Sequence, residues 1–268
     1  MNLDINFRTE EPHDFYAVEE LTREAFWKFW ESDRQICDEH FLVHKLRQSK
    51  DFVPELSCVA EFDGKLVGHI IYTKSRIVDE NGISHEMLTF GPLSVLPEYQ
   101  SMGIGKALMR HTFEIARQMG YRAVLIFGHP DYYPRVGFRR AAELGIIAFD
   151  GHSRDAFMAY PLYAGALDGI SGQYFICDEY FDLSQEQVLE FDKKFPPKEK
   201  HTPIPIGVLL DRLTVDARAA IQSLGCDSLN MMTSKSEREV SALEGIDNTA
   251  IAAIRSVMNE NGLRWGQG

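Results

Sequence analysis

Apolar residues recur at steps of three and four over 19–30, where Leu21, Ala25, Phe26, Phe29 and Trp30 are separated by polar groups. That spacing predicts a helix with one apolar face. A weaker helical pattern follows at 40–47. The period then falls to two. Residues 58–62 and 66–78 read as strands joined by the turn Asp63-Gly64, and Asn81-Gly82 marks the next turn. A further strand, 87–96, is interrupted by Gly91-Pro92. Proline removes a ladder donor, so this strand is expected to bend or to part from a neighbour. Helical spacing returns at 105–119, with Ala107, Leu108, Phe113, Ile115 and Ala116 set among Lys106, Arg110, Arg117 and Gln118, and Gly120 supplies the stop. A short apolar strand, 123–127, comes next, and a last strand signal lies at 157–162. The pattern predicts an α+β domain over residues 1–167, a mixed, mostly antiparallel sheet with flanking helices.

Composition shifts after residue 167. Residues 168–203 carry Gly169, Gly172, Pro196, Pro197 and a charged run, with periodicity only at 185–191, and read as a connector with a short helix. Helical patterns at 206–212, 215–224, 235–243 and 249–261 then predict a small all-α helical bundle over 204–268.

With 40 acidic against 28 basic side chains the chain carries a formal charge of -12, which opposes a whole-protein grip on nucleic acid or anionic lipid. No stretch approaches the roughly 20 apolar residues of a membrane helix, and the first twenty residues lack the basic head and apolar block of a leader, so the expected location is cytoplasmic. Four cysteines, Cys37, Cys58, Cys177 and Cys226, have no paired spacing, so neither a zinc site nor a disulfide framework is expected.

The stretch from Leu88 to Ala107 carries the most chemistry. A strand ends near Val95, a loop holds Gln100, Gly103 and Gly105, and a helix begins at once. Glycines there let backbone amides converge without a Cβ in the way, and the helix start adds unpaired N–H groups and a positive dipole end, a geometry that suits a pyrophosphate. Neither a G-x-G-x-x-G nor a G-K-S/T pattern is present, which sets aside the common nucleotide-binding loops.

Gln100-Ser101-Met102-Gly103-Ile104-Gly105, followed by Lys106, resembles the Q/R-x-x-G-x-G/A acyl-CoA motif of the GNAT family of N-acetyltransferases. Leu93-Ser94-Val95 is similar to the family's splayed fourth strand. The segment from Gly128 to Phe138 resembles the stretch after its fifth strand, where a tyrosine stands four residues before a Gly-Phe pair. The resemblance spans residues of about 3–165 and implies acetyl-CoA as co-substrate with no metal. It also implies pantetheine held by backbone groups of Leu93, Ser94 and Val95, and pyrophosphate held by amides from Ser101, Met102, Gly103, Ile104, Gly105 and Lys106, with Gln100 opening the motif. Tyr133 takes the position of the general acid, with Tyr132 its adjacent alternative. No base follows from the motif. The family's strand-four glutamate position holds Thr89, and Glu86, His85 and His129 are the candidates.

The acceptor is an amine of a small molecule or peptide. Phe26, Trp27, Phe29, Trp30, His40, Phe41 and His44 are the expected acceptor wall, in competition with ordinary core packing. Residues 206–266 resemble the helix-hairpin-helix domain at the C-terminus of the bacterial RNA polymerase alpha subunit, in Leu213-Thr214-Val215, Leu224-Gly225, Leu243-Glu244-Gly245-Ile246 and Asn261-Gly262-Leu263. Its charge argues against nucleic acid: six basic and eight acidic residues from 203 to 268 give -2, and Asp247 replaces the second hairpin glycine. A protein partner or a homodimer contact fits better. The alternative to catalysis is an acyl-CoA-binding regulatory module whose helical domain docks a protein.

Overall fold

The computed structural model describes residues 4–27, 36–130, 132–152, 154–199, 203–263 and 265. The chain forms two compact units, one of Met1–Lys28, Cys37–Gly128 and Tyr132–Pro196, the other of Phe29–Ile36, His129–Asp131 and Pro197–Gly268.

In the first unit, β1 (Asn6–Thr9) precedes α1 (Phe15–Phe26) and α2 (Glu39–Leu46). The strands β2 (Cys58–Phe62), β3 (Lys65–Val78) and β4 (Ser84–Val95) follow as an antiparallel meander. Then come α3 (Ile104–Gln118), β5 (Ala123–Phe127), β6 (Arg139–Arg140), β7 (Ile146–Ile147), β8 (Phe157–Pro161), β9 (Gly172–Phe175) and α4 (Gln185–Asp192). Among the described residues the nine strands make one sheet in the order β1-β2-β3-β4-β5-β8-β6, with β9 paired to β3 and β7. Helix α1 starts four residues before the expected 19–30 helix, because Val18 extends the buried stripe of Leu21, Thr22 and Ala25. Its expected end, Phe29 and Trp30, lies outside the described residues.

Two features of this sheet position the site. β4 pairs β5 in parallel only at Leu88↔Val124, so beyond that contact the two strands part. The register of β3 on β4 also slips, with Tyr72↔Phe90 followed by Ile70↔Leu93, two steps against three. The extra residue sits at the interruption expected from Gly91-Pro92. It reverses the alternation, so Leu88 and Phe90 before it and Leu93 and Val95 after it pack into the same core. Helix α3 covers that core with Ile104, Leu108, Met109, Thr112, Phe113 and Ala116. Burying each large side chain of this set contributes about 1.5–3 kcal/mol. Gly68 lets α3 approach, since a Cβ there would lie 3.1 Å from both Ile104 and Leu108.

The other face of the sheet carries two further clusters. One joins Met87, Ala123 and Leu125 to Phe157 and Tyr174, and the other joins Val18, Val43 and Leu46 to Ile71 and Cys177. A buried ionic group ties α1 and α2 to the strands. Arg47 reaches Glu10 at 2.5 Å and Glu19 at 2.6 Å, and the Ser57 hydroxyl donates to Glu10 at 2.7 Å.

The expected connector over 168–203 is corrected. β9 runs antiparallel to β3 through Arg76↔Phe175 and Val78↔Gln173, alongside the part of β3 that β2 does not reach, and residues up to Pro196 belong to the first unit. A short helix does occur there. However, α4 packs on α1 and α2, where Arg23 holds Asp192 at 2.5 Å and 2.9 Å. The first unit therefore ends near 196 instead of 167.

The second unit contains α5 (Gly207–Leu210), α6 (Val215–Ser223), α7 (Glu237–Ser241) and α8 (Asn248–Glu260) around Leu209, Ile221, Leu229, Met232, Val240, Ile254 and Met258. Side-chain caps open three of them: Thr214 before α6, Ser236 with Glu239 before α7, and Asp247 before α8.

Candidate active site

The parting of β4 from β5 leaves backbone groups with no neighbouring strand. Leu96 N–H donates to the Val67 carbonyl at 3.0 Å, which makes that pair hydrogen-bonded. Antiparallel pairs alternate, so Ser94 is the next residue bonded to β3, while Leu93 and Val95 turn their N–H and C=O toward the gap. The Gln100 side chain accordingly donates to the Val95 carbonyl from that side at 3.0 Å, which also pins the following loop. Ser94 points its side chain to the other face, where its hydroxyl donates to Thr22 at 3.0 Å.

The loop then turns into α3. Ser101 lies at φ 62 and Gly103 at φ 86, both left-handed, and Ala107 N–H makes the first helical bond, to Gly103 O at 3.0 Å. The amides of Ile104, Gly105 and Lys106 precede that bond and have no helical acceptor. A methyl placed on Gly105 would lie 3.5 Å from Leu93, 3.7 Å from Val95 and 3.7 Å from the Tyr132 hydroxyl. The helix start thus faces the same gap as the free edge of β4.

The two adjacent tyrosines go separate ways. Tyr132 is exposed and brings its hydroxyl to the start of α3. Tyr133 turns under the gap, its ring 6.0 Å from Phe90 on β4 and 5.3 Å from Phe138. It rests against Gly128 just past β5, so closely that a Cβ on Gly128 would fall 2.2 Å from the ring. Burial, with Tyr132 beside it, pushes the Tyr133 phenol well above its ordinary value, so the proton is held throughout the neutral range. Burial also raises the Tyr132 phenol.

Two of the candidate bases, Glu86 and His85, are bound to other charged groups. Glu86 is exposed, sits on the paired side of Leu88, and is bound to Lys74 at 3.2 Å. His85 lies 3.2 Å from Asp79 in the turn before β4. His129, two residues past β5, is half-buried and is grouped with the second unit.

The expected acceptor wall is also corrected. Phe41 and His44 pack at a tilt on Phe191 of α4 at 5.1 and 4.7 Å, and His40 packs on Phe195 at 5.5 Å and is buried. Trp27 lies over Arg23. These residues are covered because α4 packs across them, a contact their own spacing does not reveal. The aromatic residues left accessible at the end of β5 are Phe127, Phe149 and Phe181. Tyr174, Tyr180 and Phe181, which sequence reasoning missed, lie in the stretch read as a connector. The signal for β9 was the β-forming run Tyr174-Phe175-Ile176 after Gly172.

Among the described residues no group of three His, Cys, Asp or Glu side chains could hold a metal ion, and no helix is long and apolar enough to cross a membrane.

A family model described as "Acetyltransferase (GNAT) family" matches residues 17–138. The chain is 37% identical over 136 residues to the uncharacterized N-acetyltransferase YjhQ of Escherichia coli (strain K12), covering 51% of this chain and 70% of that protein. It is 31% identical over 166 residues to the uncharacterized N-acetyltransferase YhbS of the same strain, covering 62% of this chain and 92% of that protein. The crystal structure of YhbS from Escherichia coli in complex with CoA superposes with a TM-score of 0.59 at 25% identity, over 69% of this chain and 96% of that one. A GNAT family acetyltransferase from Brucella melitensis in complex with acetyl-CoA superposes with a TM-score of 0.53 at 27% identity, over 67% of this chain and 99% of that one.

Proposed function

The chain belongs to the GNAT family of N-acetyltransferases, and on that premise we propose that it moves an acetyl group from acetyl-CoA directly to a primary amine in the gap between β4 and β5. One observation carries this reading: the edge of Leu93 and Val95 that no strand covers and the glycine-led start of α3 face the same gap, above a half-buried tyrosine. The pantetheine arm would add to the free edge of β4 as an extra strand, with its amides on Leu93 and Val95. The pyrophosphate would meet the amides from Ser101 to Lys106 at the positive end of α3. Tyr132 flanks that end.

In the transfer, the amine nitrogen forms a bond to the thioester carbonyl carbon and the carbon–sulfur bond breaks. Tyr133 gives its proton to the departing thiolate, which leaves as CoA-SH; the proton shed by the amine passes to water, and water returns one to Tyr133. Tyr133 suits this role because its phenol stays protonated at neutral pH and its ring is fixed between Phe90, Phe138 and Gly128. Glu86 is held by Lys74, which argues against its serving as the base; Glu86→Gln is expected to leave kcat within about twofold, and His129→Gln tests a further candidate by its pH profile.

Thiol release from acetyl-CoA across an amine panel tests the reading. Tyr133→Phe is expected to lower kcat by about 10²-fold. Tyr132→Phe and Gly103→Glu are expected to act mainly on the KM for acetyl-CoA. Undiminished turnover in both Tyr133→Phe and Gly103→Glu would remove the site assignment.

A further inference from the structure

The gap between β4 and β5 also opens on the face away from α3, and there the chain returns after the region matched by the family model. Tyr174 of β9 donates its hydroxyl to the Leu125 carbonyl of β5 at 3.2 Å. Tyr180, in the following 3₁₀ turn, donates to the Gly91 carbonyl of β4 at 3.3 Å. One ten-residue stretch therefore supplies a phenol to a carbonyl on each flank of the gap, where the parting strands offer no N–H partner.

The residue after Tyr180 continues across. Phe181 meets Phe149 edge-on at 4.8 Å, and Phe149 meets Phe127 at 5.8 Å. Phe127 ends β5, on the face of the strand that carries Leu125. An aromatic row thus runs from the β4 side to the β5 side at the wide end of the gap. It is not core: Phe181 is 55% exposed, Phe127 is 40% exposed, and Phe149 is half-buried. Three clustered, accessible rings form an apolar surface that folding alone does not require. Two carboxylates beside the row are engaged, Asp150 by Arg154 and Asp182 by Lys45. A multiply charged polyamine must compete with these pairs, whereas a flat ring meets matching faces and edges.

We propose that residues 172–181 complete the acceptor side of the site, and that Phe181, Phe149 and Phe127 select a primary amine carried on a flat aromatic body. This rests on the acetyltransferase reading above and names its acceptor class. The chemistry is that of the general transfer: the aromatic amine leaves as its acetamide and the thiol as CoA-SH.

The test uses the full chain and three amines, 2-phenylethylamine, n-hexylamine and spermidine, with two readouts. The first is equilibrium binding of each amine by NMR titration, with and without CoA. The second is thiol release from acetyl-CoA. The aromatic amine is expected to bind and turn over about fivefold better than hexylamine, in line with about 1 kcal/mol for aromatic pairing beyond area burial. Phe181→Ala and Phe149→Ala should each erase that advantage while leaving the KM for acetyl-CoA in place. Phe181→Tyr should restore it, which separates ring contact from any folding defect. Equal binding of the three amines, a preference for spermidine, or an aromatic preference untouched by Phe181→Ala would overturn the inference. Selective aromatic binding without thiol release would instead count against the acetyltransferase reading and leave the aromatic row standing.

Discussion

Gly128 follows β5 with its Cα against the ring of Tyr133, and alanine there would place a methyl carbon 2.2 Å from Cε2 and 2.5 Å from Cδ2. The backbone itself accepts the change, because Gly128 is not among the glycines at positive φ. Its N–H bond to Ala156 O, at 2.9 Å, does not involve the side chain. The perturbation is therefore a pure displacement of Tyr133. Carbon atoms rest about 3.5–4.0 Å apart, so the ring must withdraw by roughly 1–2 Å. A misplacement of about 1 Å at a reacting group costs on the order of 10²-fold in rate, equivalent to about 2.7 kcal/mol of barrier. Overpacking should also lower stability by about 1–3 kcal/mol, so the assay is run well below the melting temperature, with thiol release at saturating acetyl-CoA. Gly128→Ala is expected to lower kcat about 10²-fold with little change in acetyl-CoA affinity. In a Tyr133→Phe background the same substitution should cost almost nothing further, because no hydroxyl remains to be misplaced. A folded Gly128→Ala variant with kcat within about threefold of the parent would refute the placement of Tyr133 at the reacting sulfur, and full additivity in the double variant would refute the coupling.

Gly103 stands at φ 86 with open space around it, so Gly103→Ala tests backbone conformation alone; about 1–2 kcal/mol against the left-handed form should raise the KM for acetyl-CoA about tenfold without changing kcat. Burial would raise the Glu10 carboxyl, but His69 and Arg47 outweigh it and hold it near 2, below the 4.5 expected of an unfolded chain. A depressed acid stabilises the fold above the unfolded value and loses that contribution as pH falls through the folded one. Stability should therefore drop between pH 5 and pH 2, by on the order of 3 kcal/mol from this group and with a matching fall in melting temperature, and Glu10→Gln should flatten that acid limb while lowering stability at pH 7. In the helical unit Arg212 is bound to Glu260 and Arg255 to Glu237, and the Asp247 carboxylate occupies the amide at the start of α8. The full chain should show no salt-dependent binding to duplex DNA at about 0.15 M salt in a fluorescence titration; a steep salt slope would contradict that.

Much of the site was legible because its signals are local. A change of period from 3.6 to 2 depends only on near neighbours, so the strands from Cys58 to Phe127 and the helix after Gly103 could be read from spacing. The interruption at Gly91-Pro92 likewise announced a break in the ladder, and the glycine spacing of the loop announced amides with no side chain in the way. The same locality hid the rest. Phe41 and His44 carry the spacing of an exposed wall, and the arrival of Phe191 from α4 half-covers them. β9 is four residues long, and its partner Arg76–Val78 lies far back in the chain, so its own window offers only a short β-forming run and does not reveal which strand it joins.

The clearest division falls at Tyr132 and Tyr133. The motif placed one phenol beside the cofactor, but two identical neighbours cannot be told apart by composition. The space above Gly128 and the ring of Phe90 draw Tyr133 inward, while Gly105, which lacks a side chain, leaves room for the hydroxyl of Tyr132 at the start of α3. Local periodicity determined the elements, and the resemblance of the loop over 100–106 to a family motif supplied the expected cofactor loop. Which aromatic groups face the gap was decided by packing between segments distant in sequence, because steric exclusion acts through space and leaves no mark on the spacing of residues along the chain.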